Sequence, residues 1–272
     1  MVGRVLIVAG SDSGGGAGIQ ADIKTVTALT GFAATAITAL TAQNTRGLDA
    51  IHAVPADFVG RQMRSVLRDI GADCIKTGML WSAEIIETVA GELDRSATGA
   101  PLVVDPLICS SSGTRLLERP AQDALVSLLV RRAMVVTPNL AEAEVLTGLE
   151  IATVDDMKKA ASLLLESGPK AVLLTGGHLA GDVLSDVLVG GARCEVFQSS
   201  RIDSRNTHGT GCTLASAIAT GIAQGMSIRD SVIRARAYVR EAIRSAPGLG
   251  QGDGPLNHGH TVHPFEGYDG RD

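Results

Sequence analysis

Residue type and spacing point most directly to chemistry at Thr207-His208-Gly209-Thr210-Gly211-Cys212. Two glycines lead into a cysteine, and small residues with a helical pattern follow at once, Thr213 to Ala219. Glycine permits the tight turn, and a helix start leaves backbone N–H groups without intrahelical partners. The helix dipole adds positive potential there, which suits an anion and would favour the thiolate of Cys212. The segment therefore reads either as an anion hole with a base beside it, or as a glycine turn before a buried cysteine.

Other polar groups fall at the ends of apolar runs. Gly10 to Gly18 follows the run Val5-Leu6-Ile7-Val8-Ala9 and precedes a helical pattern from Ile19 to Leu29, with Asp22 expected to point back at the glycine loop. The loop lacks Gly-Lys-Ser/Thr, so it is not of the Walker type, and its glycines fit the dinucleotide fingerprint poorly. Gln43 and Asn44 end the run Phe32 to Leu40 with its Thr-Ala-Gln-Asn-Thr extension, and turn chemistry explains such amides equally well. Asp105 ends Leu102-Val103-Val104. Asn139 and Glu142 follow Ala133 to Val136; their spacing alone favours a helix capping box, the competing reading being that both address a metal-phosphate group. Thr175, Gly176 and Gly177 end Ala171 to Leu174.

These groups meet only if the elements that carry them form a parallel sheet. Helical patterns at about Pro55–Leu67, Ser82–Leu93, Asn139 onward, Val154–Leu165, Thr210–Ala223 and Ile228–Ile243 alternate with the strands. A strand pair at Asp182–Val189 and Arg193–Gln198 turns at Gly190-Gly191. Alternation of this kind predicts a single-domain, three-layer α/β/α fold with a mostly parallel central sheet, whose carboxyl edge gathers the polar ends. Residues 248–272, rich in Gly and His, are expected to form a loose tail, with a metal site at His258, His260 and His263 as the weaker alternative.

Composition narrows the function classes. The chain has 272 residues, a formal charge of −5 and only 3% aromatics, which argues against a nucleic-acid surface with stacking platforms. The uncharged run between Lys24 and Arg46 holds seven Thr and is too polar for a membrane span. Cys74, Cys109, Cys194 and Cys212 show no paired spacing and read as reduced thiols of a cytoplasmic protein. The converging polar ends fit phosphoryl transfer, which needs positioning and charge stabilisation. On that reading Gly209, Thr210, Gly211 and Cys212 form the anion hole, Asp105, Asn139 and Glu142 hold Mg²⁺ directly or through waters, and Cys212 takes the proton from an alcohol.

Asn139-Leu140-Ala141-Glu142 resembles the NxxE motif of the ribokinase-like superfamily, and Gly209-Thr210-Gly211-Cys212 its GAGD motif with Cys in place of the catalytic Asp. Together with GGGAGIQADIK (14–24), TALTAQNT (38–45), KTGML (76–80), VVDP (103–106), TPNLAEAE (137–144) and HGTGCTLAS (208–216), these motifs resemble the hydroxymethylpyrimidine and phosphomethylpyrimidine kinases of thiamine biosynthesis. The resemblance implies ATP- and Mg²⁺-dependent phosphorylation of 4-amino-5-hydroxymethyl-2-methylpyrimidine to its monophosphate and then its diphosphate. It places Gln43, Asp22, Ala17, Met79 and Leu107 around the pyrimidine, and Asn139, Thr175, Gly177 and Thr207 around the nucleotide. It implies a homodimer, with neither nucleic acid nor membrane as partner. Pyridoxal-active relatives carry a Cys-Lys-Gly lid, whereas Leu107 to Gly113 contains no Lys and has Cys109 one place early; many members also have Lys at the position of Thr175. A pyridoxal or hydroxyethylthiazole kinase and a non-catalytic pyrimidine-binding sensor are the alternatives.

Overall fold

The strand β1 (Arg4–Asp12) alternates between two apolar layers: Leu6 and Val8 pack on one side, and Val5, Ile7 and Ala9 on the other. A strand buried on both faces is the mark of a parallel sheet covered by helices. The structure is a computed structural model and describes residues 2–96, 99–109, 116–118, 120–177, 179 and 181–263. The strands after β1 are β2 (Phe32–Asn44), β3 (Gly47–Ala53), β4 (Cys74–Thr77), β5 (Leu102–Val104), β6 (Val135–Val136), β7 (Ala171–Thr175), β8 (Val183–Gly190) and β9 (Arg193–Ser200). They form one sheet in the order β3-β2-β1-β4-β5-β6-β7-β8-β9. From β2 to β7 every neighbouring pair is parallel; β3, β8 and β9 pair antiparallel at the two margins. The expected mostly parallel α/β architecture is what forms.

Helices α1 (Gly18–Ala28), α7 (Thr210–Ala223) and α8 (Ile228–Arg244) cover one face, where Ile19, Val26, Leu214, Ile218, Val232 and Tyr238 are buried against Val5 and Ile7. The other face is covered by α2 (Ala56–Asp69), α3 (Ala83–Ser96) and α4 (Ala121–Ala124), then by α5 (Leu140–Thr147) and α6 (Val154–Glu166) over β7 and β8. Two elements were not expected from the sequence. β3 pairs with β2 through Ala39↔Ala53 to Asn44↔Gly47 and is largely exposed, so no apolar alternation announces it. The helical stretch from α4 continues as a π turn, Leu125–Leu129, and a 3₁₀ turn, Val130–Arg132, burying Leu125, Leu129 and Val130.

The loose tail is corrected over its described part. Gln251 and Gly252 N–H groups donate to Thr45 Oγ1, Gly254 N–H donates to the Arg205 carbonyl, and His208 N–H donates to the Gly254 carbonyl. His258 is buried: its Nε2 lies 3.0 Å from Thr213 Oγ1, and its carbonyl accepts from Tyr238 Oη at 2.6 Å. Burial pushes this imidazole down to about 4, with Lys24 and His260 acting in the same direction. It packs as a neutral ring on α7 and α8, so the alternative of a three-histidine metal site is not what forms. Residues 264–272 lie outside the described residues.

Candidate active site

Parallel topology brings the carboxyl ends of β1, β2, β4, β5, β6 and β7 to one edge of the sheet, and α7 starts against that edge. Gly209 adopts φ +87°, and a Cβ there would stand 1.9 Å from the Gly16 carbonyl oxygen. Both conditions demand glycine. α7 begins at Thr210 with no side-chain cap; the Thr210 N–H turns back to the Thr207 carbonyl, and the Gly211 and Cys212 amides are the next at the helix start. Ala17, the N-cap of α1, is packed beneath this turn.

The glycine loop after β1 is held by Asp12. Its Oδ1 accepts from Gly14 N–H at 2.8 Å, and its Oδ2 from Gly16 and Ala17 N–H at 3.1 and 2.8 Å. Burial works against its charge, but His208 and the Ala17 and Gly14 amides hold the carboxyl below its usual range. His208 Nε2 sits 3.0 Å from Asp12 Oδ2 and 3.4 Å from Gln43 Nε2. Gln43 is half-buried at the end of β2, so the loop, the anion turn and this amide are mechanically joined.

Deeper in, Lys76 of β4 is fully buried, with Nζ 2.9 Å from both oxygens of Asp22. Ser216 of α7 donates to Asp22 Oδ1 at 2.6 Å. Asp22, expected on the substrate wall, is thus 0% exposed with both oxygens engaged. α1 turns its carboxylate under the loop toward β4 and α7, where the buried Lys76 ammonium and the Ser216 hydroxyl meet it. Burial alone would strip the proton from Lys76, but Asp22, Cys212 and Asp105 around it hold the ammonium well above its ordinary value.

Cys212 is also buried. Desolvation pushes its thiol up to about 12 against the pull of Lys76, and Asp105 and Asp22 push in the same direction as burial. The thiolate expected from the helix start does not form in this state; loss of water outweighs the dipole. Asp105 stands close enough to the thiol for its charge to oppose ionisation. Burial raises Asp105 to about 6, opposed by Lys76. Glu142 is raised to about 8 by burial and by the Asp105 charge.

Asn139 and Glu142 form a full capping box: Asn139 Oδ1 accepts from Glu142 N–H at 2.9 Å, and Glu142 Oε2 from Asn139 N–H at 3.0 Å. Only one carboxylate oxygen is consumed. Glu142 Oε1 and Asp105 Oδ2 are buried with no hydrogen-bond partner among the described residues. Two mutually repelling carboxylates with orphaned oxygens fit a hard divalent cation, which Mg²⁺ satisfies by taking one or two carboxylates and completing its shell with water and phosphate. Among the described residues no group of three or more His, Cys, Asp or Glu forms a cage by itself.

Met79 and Leu107 share a small apolar cluster with Ala39, Leu116, Leu48, Ile51 and Trp81. The structure brings these two predicted residues together. Trp81 holds a left-handed φ of 69°, a backbone cost for a bulky residue at the rim of this cluster. Thr175 lies beside Asn139 through a backbone bridge, and its N–H donates to the Pro138 carbonyl at 2.9 Å. The Gly177 carbonyl accepts from Arg201 at 2.7 Å. Thr207 is exposed, and its carbonyl accepts from Thr210 N–H. Ser110 to Gly113, expected as a flap, lie outside the described residues. The sequence reading missed Lys76, His208 and Ser216 as parts of the site; each stood inside a quoted motif, but nothing in spacing says which buried carboxylate a lysine will meet.

Residues 12–257 match the model of the phosphomethylpyrimidine kinase family. The chain belongs to that family. It is 48% identical over 258 residues to the hydroxymethylpyrimidine/phosphomethylpyrimidine kinase of Streptomyces coelicolor, covering 95% of each chain. It is 52% identical over 257 residues to the thiamine biosynthesis bifunctional protein ThiED of Geobacter sulfurreducens, covering 94% of this chain and 52% of that longer protein. Among solved structures, the pyridoxal kinase of Staphylococcus aureus in complex with ADP superposes with a TM-score of 0.88 at 35% identity, over 95% of this chain and 94% of that one. That likeness carries the ribokinase-like fold.

Proposed function

We propose that this chain transfers the γ-phosphoryl group of ATP to the hydroxymethyl oxygen of 4-amino-5-hydroxymethyl-2-methylpyrimidine, and then a second to the resulting monophosphate. Family membership makes it a kinase of thiamine biosynthesis, and the pyrimidine-binding sensor falls away with it. The observation that carries the reading at the level of residues is that Asp105 and Glu142, each with a buried oxygen lacking a partner among the described residues, stand by the uncapped start of α7 and Cys212.

Asp105 and Glu142 are the groups that would hold Mg²⁺, which when bound neutralises charge on the nucleotide phosphates. On this reading Asn139, Thr175, Gly177 and Thr207 would serve the nucleotide, and Gln43, Ala17, Met79 and Leu107 the pyrimidine, with Asp22 beneath them. The acceptor oxygen bonds to the γ-phosphorus as the bond to the bridging oxygen breaks and ADP leaves. The amides of Gly211 and Cys212 stabilise charge on the transferring group. Cys212 accepts the hydroxyl proton as the thiolate, the form that the buried Lys76 ammonium beside it favours. In the second transfer the acceptor is already an ionised phosphate oxygen, and no base is needed.

A cytoplasmic homodimer completes the reading, supported by the resemblance and by four free thiols. Among the described residues no helix is long and apolar enough to cross a membrane. The test is purified protein with Mg·ATP and three alcohols: the aminopyrimidine, pyridoxal and hydroxyethylthiazole. Monophosphate and then diphosphate of the aminopyrimidine, resolved by phosphorus NMR, are expected; preferential turnover of pyridoxal would overturn the substrate assignment.

A further inference from the structure

His208 Nε2 is in hydrogen-bonding range of two groups at once, Asp12 Oδ2 at 3.0 Å and the Gln43 amide at 3.4 Å. Asp12 is a carboxylate held by three backbone amides, so it only accepts. The contact therefore requires a proton on His208 Nε2, which leaves that nitrogen no lone pair. An amide nitrogen placed against it sets donor against donor. On the far side of the same amide, Thr41 Oγ1 lies 3.0 Å from the Ser11 carbonyl and 3.2 Å from Gln43 Oε1. The Thr41 hydroxyl has one proton, and the carbonyl takes it. Two acceptor oxygens then face each other.

Rotating the amide by half a turn resolves both conflicts. Gln43 Oε1 then accepts from His208 Nε2–H, and Gln43 Nε2–H donates to Thr41 Oγ1. We propose that Asp12, through His208, fixes the orientation of the Gln43 amide, so that one N–H and one lone pair of known sense face the pocket and select a ring with an amino donor beside a nitrogen acceptor. This rests on the pyrimidine reading above and goes beyond it: His208 is a positioning residue for specificity, acting through Gln43. A 4-oxo analogue, whose ring nitrogen carries hydrogen, presents the opposite sense and is rejected.

The experiment compares kcat/KM for the 4-amino alcohol and its 4-oxo analogue in wild type, His208→Leu and His208→Gln, with melting temperatures to confirm folding. Wild type should prefer the amino substrate by about 100-fold or more, the discrimination a good bidentate polar contact confers. His208→Leu should lose at least tenfold of that preference through KM for the pyrimidine, with KM for ATP little changed. His208→Gln, which can donate to Asp12 and to Gln43, should restore most of it. Loss of activity on both substrates in equal proportion would show a merely structural role and overturn the proposal. An imidazole nitrogen NMR spectrum supplies a readout free of turnover: a protonated His208 Nε2 is required, and an unprotonated one refutes the relay. If wild type phosphorylates neither pyrimidine, the functional reading fails instead, while the nitrogen spectrum still judges the relay.

Discussion

Replacing Lys76 with Met removes the ammonium that Asp22, Asp105 and Cys212 surround while keeping much of the side-chain volume. Lys76 and Asp22 are both 0% exposed, so the substitution strands a fully buried carboxylate. Breaking a buried pair from one side costs about 3–5 kcal/mol. At about 2 °C per kcal/mol for a chain of this size, the melting temperature should fall by roughly 6–10 °C. The double variant Lys76→Met/Asp22→Asn removes the stranded charge and keeps an acceptor for Ser216, so most of that loss should return. Activity should not return with it, because Lys76 opposes the upward shifts of both Asp105 and Cys212. Differential scanning fluorimetry and steady-state kcat, measured on wild type, both singles and the double, separate the two effects. A shift under about 2 °C for Lys76→Met would refute the claim that the pair is buried and unscreened. Recovery of stability and kcat together in the double would show that the charge holds the fold alone.

Glu142 and Asp105 are both raised above their ordinary values of 4.5 and 3.8. Protonation therefore stabilises the folded metal-free protein: the benefit is complete below pH 4 and is lost as pH rises through about 6 and then about 8. The melting temperature of metal-free enzyme should fall between pH 5 and 9, and Mg²⁺ should restore it most at the alkaline end. Glu142→Gln keeps the cap acceptor for Asn139 and removes the orphaned charge, so it should flatten this dependence while cutting kcat by about 100-fold or more; a steeper pH dependence would contradict the assignment. Cys212→Ala should cost the first phosphorylation more than the second in separate assays, and equal losses would remove its role as proton acceptor. Gly209→Ala puts a Cβ 1.9 Å from the Gly16 oxygen at a positive φ, so both steps should fall by about 100-fold; near-normal kcat would mean that the turn tolerates a shift.

Sequence alone carried a great deal here. Glycine punctuation after apolar runs predicted the alternation of strands and helices, and the run ends named Asp105, Asn139, Glu142 and the Gly209–Cys212 turn, because backbone geometry at those places limits which residues fit. Met79 and Leu107 came from motif resemblance, and β3 was illegible because an exposed edge strand needs no apolar alternation. Tertiary structure decided which partners the buried groups have. Spacing let Asn139 and Glu142 be either a cap or a cation site; the fold makes the cap with one oxygen and leaves the other orphaned. Asp22 meets Lys76 and Ser216, from β4 and α7, and His258 is a packed neutral ring instead of a loose tail residue. Cys212 keeps its proton because burial between carboxylates outweighs the field of its helix. Local sequence sets backbone conformation and the identity of polar groups; whether a charge survives depends on solvent exclusion and on residues far away in the chain, and only the assembled layers supply those.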